Sequence, residues 1–177
     1  MNFDCIIGID PGAAGGIAYT INGKTTALKM PKDLSDLVDL VNYLKGIATP
    51  IAFIERLSVR PDDVFVTGAK PNMGKMFRIQ KMMQNFAQLQ TVFDVCDVPF
   101  CLVSPMKWQT GIRVKGEEKA DRKRRFKTLA ADLYPEMNIT LWNADALLIM
   151  NFGRNAIEHD TKWIRQHINE RKKSLFN

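Results

Sequence analysis

Apolar residues run almost unbroken from Cys5 to Ile9 and stop at Asp10-Pro11-Gly12. A short β-rich run closed by turn formers predicts a strand with Asp10 at its end. Gly15 to Ile21 and Thr25 to Met30 read as two further strands, and the Asn22-Gly23 between them suits a tight hairpin turn. The first three strands are therefore expected to form an antiparallel meander. After Pro31 the apolar positions Leu34, Leu37, Val38, Leu40, Val41 and Leu44 recur at helical spacing, with Asp33, Asp36 and Asp39 toward the N-terminal end. Ile51 to Ile54 is a continuous apolar run, as in a strand covered on both faces, and it stops at Glu55.

Ser58 to Asn72 carries two prolines, a glycine and mixed charge, which predicts a long loop and a candidate binding element. A Met-rich helix is expected from Met73 to about Val95, then a strand at Phe100 to Val103. A helix running through Phe126, Leu129, Ala130 and Leu133 ends at Tyr134-Pro135, and Asn143 to Arg154 reads as a buried helix carrying one acid, Asp145. Ile157 to Leu175 reads as a basic amphipathic tail helix. Together these predict one α/β domain over residues 1–177: a mixed five-stranded sheet flanked by helices, with the basic helix beginning near 157.

Composition narrows the class. A chain of 177 residues with 46% hydrophobic and 25% charged residues matches a globular domain, not a disordered or repetitive one. No apolar run reaches the roughly 20 residues of a membrane span, and no basic region precedes an apolar stretch at the start, so neither anchor nor signal is expected. Cys5, Cys96 and Cys101 are odd in number, lack metal-ligand spacing and are expected in the core, which favours a reducing, cytoplasmic setting. The formal charge of +6 favours polyanionic partners. Residues 107–127 hold nine cations against three acids, so this one segment carries charge equal to the whole excess. Lys107, Arg113, Lys115, Lys119, Arg122, Arg124 and Arg125 are its candidate phosphate contacts. Phe65, Phe77 and Trp108 are candidates for stacking on bases, with Phe65 preferred and a core position expected for Phe77. His159 and His167 read as surface residues.

Asp10, Glu55 and Asp145 each sit in apolar sequence, where an ionised carboxylate is costly unless paired, hydrogen-bonded or bound to metal. Blander readings exist for each: a turn-forming Asp, a pairing with Arg56 or Arg60, and a helix N-terminal acid. If the acids converge, their repulsion is relieved by hard divalent cations, and two such ions suit phosphodiester cleavage.

Ile7-Gly8-Ile9-Asp10-Pro11-Gly12 with Gly15-Gly16-Ile17-Ala18, then Ile54-Glu55, then Ala144-Asp145-Ala146-Leu147-Leu148-Ile149 resemble, in order, the three acidic motifs of RuvC-type Holliday junction resolvases. The phage and chloroplast branch is the nearest in character: a Lys-containing helix ends in Tyr-Pro before the Ala-Asp-Ala-Leu-Leu-Ile helix and a Gly, here Gly153. The resemblance implies a ribonuclease H-like fold and a homodimer that resolves branched DNA, four-way junctions above all, by paired symmetric nicks. It further implies two Mg²⁺ ions, or Mn²⁺ in their place, held by Asp10, Glu55 and Asp145, with Lys123 as the essential lysine near the scissile phosphate and Lys107 as a weaker match. The family's fourth ligand, an Asp or His one helical turn before the last acid, corresponds to Trp142. Asn143 offers an amide oxygen instead, and a weak or inactive junction-binding protein of the same fold is the alternative. An actin-like ATP-binding kinase, which Asp10-Pro11-Gly12 with Gly15-Gly16 also resembles, needs two such domains and does not suit this length.

Overall fold

The computed structural model describes residues 2–12, 14–59 and 73–168. Three strands open it: β1 (Cys5–Asp10), β2 (Gly16–Ile21) and β3 (Lys24–Lys29). They form the expected meander, with β1 antiparallel to β2 and β2 antiparallel to β3. Asn22 and Gly23, at φ 50° and 77°, make the turn with the positive φ that Asn and Gly accept most readily. Helix α1 (Leu34–Ile47) then carries the chain to β4 (Pro50–Glu55), which pairs with β1 in parallel. Helix α2 (Met73–Val95) leads to β5 (Phe100–Val103), parallel to β4, and the completed sheet has the order β3-β2-β1-β4-β5.

Alternation along the central strands feeds two cores. Cys5, Ile7, Ile9, Ala52 and Ile54 face α1 and the C-terminal half of α2, where Leu37, Val41, Leu44, Phe86, Leu89 and Phe93 pack. Ile6, Ile51 and Phe53 face the other way, onto α3 (Pro105–Trp108), α4 (Lys119–Leu133), α5 (Ala144–His159) and α6 (Thr161–His167). Helix α5 lies directly on β1: a Cβ at Gly8 would collide with the Ala146 carbonyl and the Met150 amide, and one at Gly153 would collide with the Phe53 ring. Those glycines set how close α5 comes to the sheet, and hence how near its first turn stands to the end of β1.

Three expectations need correction. The tail is not one helix from 157, because α5 ends at His159 and Asp160 caps a separate α6, its carboxylate accepting from the Trp163 amide at 3.3 Å. Phe77 is not in the core; it is 63% exposed, since only the C-terminal half of α2 reaches the sheet. His167 is not a simple surface residue, for its ring stacks on Trp163 at 4.5 Å and its Nδ1 lies 2.8 Å from the Trp163 carbonyl. The three cysteines are buried in the core, as expected. No helix among the described residues is long and apolar enough to cross a membrane.

Candidate active site

Asp10 ends β1, Glu55 ends β4 and Asp145 lies in the first turn of α5. Because β1 and β4 are parallel neighbours, their C-terminal ends lie side by side, and the glycine-permitted approach of α5 brings the third acid over them. All three line one cleft of about 370 Å³, together with Lys123 from α4.

The turn after β1 is built around Asp10. Its Oδ1 accepts from the Gly12 amide at 3.2 Å, and the Gly15 amide donates back to the Gly12 carbonyl at 2.8 Å. A Cβ at Gly15 would fall 2.8 Å from the Asp10 carboxyl carbon, so the returning chain passes too close for any other residue. Burial pushes the Asp10 pKa up, aided by the Asp145 charge and opposed by the Gly12 amide and the Lys123 ammonium. Glu55 is pushed up to about 7, chiefly by burial and then by the Asp10 charge. The acids therefore feel one another, which is the electrostatic signature of convergence.

Lys123 makes an ion pair with Asp145 Oδ2, and the Asp145 side chain is only 10% exposed. Asp145 Oδ1 is buried and has no hydrogen-bond partner among the described residues. An orphaned carboxylate oxygen beside two further hard donors, with repulsion among them, fits an oxygen-preferring divalent cation. Among the described residues, however, no three His, Cys, Asp or Glu side chains form a ready-made metal cage. The donors share the cleft without closing around a common point, and the cation within reach of Asp145 is the lysine.

Asn143 does not present its amide oxygen to this cluster. Its Oδ1 accepts from the Thr140 amide at 2.8 Å and hydroxyl at 3.2 Å, and its Nδ2 donates to the Asn138 carbonyl at 3.1 Å. It holds the turn before α5. Trp142 is half-buried and packs on β2: a Cβ on Gly16, the ladder partner of Asp10, would come within 2.9 Å of its ring.

The basic segment divides into paired and open cations. Arg125 binds Glu117 through two nitrogens, at 2.6 and 2.7 Å, and also donates to the Ile112 carbonyl. Arg124 pairs with Asp121 at 2.6 Å, and Lys107 lies 3.5 Å from Asp160 and over the Trp163 ring. Arg113, Lys119 and Arg122 line the mouth of the acidic cleft, and Lys115 is exposed nearby in sequence. Phe65 and residues 60–72 of the expected Ser58–Asn72 binding element lie outside the described residues.

Trp108 is not a stacking residue on the surface. It is 3% exposed, and its indole Nε1–H donates to Glu55 Oε2 at 2.7 Å. The composition of the segment hides this link, although a buried tryptophan generally requires a partner for its N–H.

Against known proteins, no family model matches the chain and no curated protein is significantly similar to it in sequence. Solved structures are more informative. RuvC of Thermus thermophilus, in complex with a Holliday junction substrate, aligns over 89% of this chain and 96% of its own with a TM-score of 0.55 and 14% identity. A second T. thermophilus RuvC structure aligns over 87% and 95% with a TM-score of 0.50, also at 14% identity. The chain has the RuvC fold. The expected ribonuclease H-like sheet with flanking helices is thus observed, and nearly the whole length of RuvC is matched. At this identity the likeness speaks for architecture and leaves the chemistry to the cleft itself.

Proposed function

We propose that the protein is a metal-dependent, structure-selective DNA endonuclease that resolves four-way junctions. The observation that carries this reading is the convergence of Asp10, Glu55 and Asp145 with Lys123 in one cleft whose mouth is basic. Asp10, Glu55 and Asp145 would hold Mg²⁺ or Mn²⁺, two ions being the expectation from the resemblance. Such ions, when bound, activate water and offset charge on the scissile phosphate. Arg113, Lys119 and Arg122 would receive the phosphodiester backbone at the rim. Lys123, released from Asp145 when cations take its place, would stand beside the phosphoryl oxygens and stabilise their developing charge.

A homodimer making paired nicks suits the exposed apolar positions of α2, where Met73, Met76 and Phe77 stand 58%, 38% and 63% exposed. The test is incubation of wild type and Asp10→Asn with a labelled four-way junction, with and without Mg²⁺ or Mn²⁺, reading binding and strand cleavage together. Metal-dependent paired nicks absent from the variant are expected. Binding without nicks in the wild type would favour the second reading, a junction-binding protein without cleavage, which the open donor arrangement and Trp142 support.

A further inference from the structure

We propose that Trp108 is a positioning residue for the candidate site, orienting Glu55 through its indole N–H, an inference that rests on reading Glu55 as a metal ligand. Glu55 ends a strand and carries a flexible side chain, so its carboxylate needs something to choose its rotamer. The indole supplies this: Nε1 donates to Oε2 at 2.7 Å, and the ring is 3% exposed. The donor is itself fixed. Val103 is the ladder partner of Glu55, and the Arg56 amide donates to the Val103 carbonyl at 2.8 Å, so β5 delivers the next few residues to the side of Glu55. Helix α3 follows at once, with Pro105 in its first turn and Ser104 Oγ accepting from the Lys107 amide at 3.3 Å.

The same indole touches the other half of the site. It packs on Phe126 with ring centroids 5.3 Å apart, and Phe126 is buried on α4 one helical turn beyond Lys123. Arg125, which lies over the Phe126 ring at 5.1 Å, ties that helix to Glu117 and Ile112. One aromatic pair thus sets the spacing between the glutamate on the sheet and the lysine on the helix. The indole engages Oε2 as a neutral donor, so it can steer a carboxylate without neutralising it. Outer partners of metal ligands typically contribute about 10–100-fold in metal affinity or activity.

The experiment compares wild type with Trp108→Phe, which keeps an aromatic ring and removes the N–H. Thermal melts across a Mn²⁺ titration give the half-saturating metal concentration without recourse to activity. Junction cleavage then gives kcat and junction affinity separately. The expected result is a half-saturation raised about 10-fold or more, a lower kcat and unchanged junction affinity. A lower melting temperature with wild-type half-saturation and kcat would overturn the proposal, leaving Trp108 a core residue with a satisfied donor. Absence of any metal-dependent stabilisation in the wild type would instead overturn the metal reading, and the positioning role with it. Should the variant fail to fold, the wild-type indole N–H resonances decide the matter. Trp108's signal, assigned with Trp142→Phe and Trp163→Phe, should shift on Mg²⁺ addition with the midpoint of the thermal stabilisation, and no shift would refute the proposal.

Discussion

Ionising Glu55 should destabilise the metal-free protein, and the size of the effect follows from its surroundings. Burial and the neighbouring Asp10 charge raise its pKa from 4.5 to about 7. Each tenfold change in proton affinity corresponds to about 1.4 kcal/mol, so the folded protein gives up about 3 kcal/mol when the group is ionised. The folded state holds this proton more tightly than the unfolded state. Its stability is therefore greatest below the unfolded value of 4.5, falls as pH rises from there to about 7, and levels off above. Glu55→Gln removes the charge while retaining an oxygen that can accept from Trp108. At about pH 8 and with a chelator present, the variant should be about 3 kcal/mol more stable, or roughly 6–12 °C higher in Tm for a chain of this size. Differential scanning calorimetry on both proteins between about pH 5 and pH 8 tests this. The gap should narrow steadily toward the acidic end, where folded wild type keeps the proton. Parallel profiles, or a variant no more stable at the alkaline end, would refute the claim that the three acids share one desolvated cluster.

Other consequences are more direct. Asp10→Asn and Asp145→Asn should each abolish metal-dependent nicking while gel-shift binding of a four-way junction survives. Lys123→Ala removes the cation paired with Asp145, whose side chain is 10% exposed, and should cost about 1–3 kcal/mol in metal-free denaturant melts. Cleavage by that variant should slow more than its junction affinity falls, and equal losses would make Lys123 a backbone anchor only. Alanine at Arg113, Lys115, Lys119 or Arg122 should each lower the slope of log affinity against log salt by about 0.9 if its charge meets a phosphate. Arg125→Ala, whose guanidinium is already committed to Glu117, should change that slope little.

Most of the sheet is legible in the sequence because its strands are bounded by residues with definite backbone preferences. Asn22-Gly23 fixes the hairpin, and the apolar runs ending at Asp10 and Glu55 mark central strands covered on both faces. Periodicity finds α2 but not its burial: Met76, Ile79, Met83 and Phe86 recur at helical spacing, yet only the second half of the helix has sheet beneath it. Patterning cannot report where a neighbouring layer ends. The single tail helix fails for a local reason, since Asp160 is polar enough for an amphipathic face and also a good N-cap, and the structure uses the cap. The three acids are recognisable because strand ends and a helix start are the places where a fold can afford them. Pairing partners are not recognisable in this way. Nothing in the composition of residues 107–127 separates Arg125, bound to Glu117, from Lys119 at the cleft mouth, because that distinction depends on three-dimensional reach.

A carboxylate introduced at residue 142 would come at a cost in packing. Trp142 lies against Gly16, and Gly16 has no Cβ at a point where one would come 2.7 Å from the Leu28 carbonyl. The indole therefore fills a notch on β2 directly beside Asp10, whose ladder partner Gly16 is. Replacing it with a carboxylate would place a charge against apolar sheet and open a void at the start of β2, so the gain of a ligand would be set against lost packing. Trp108 lies in the same cluster at the Glu55 side. One indole packs over Gly16, the ladder partner of Asp10, and another donates to Glu55, while the helix-borne acid keeps Lys123. Each carboxylate is held by a different kind of neighbour. A backbone amide donates to Asp10, a neutral indole N–H donates to Glu55, and a lysine pairs with Asp145. Asp145 is the one of the three paired directly with a cation, so on the proposed metal reading its ion pair with Lys123 would have to open for Asp145 to serve as a ligand.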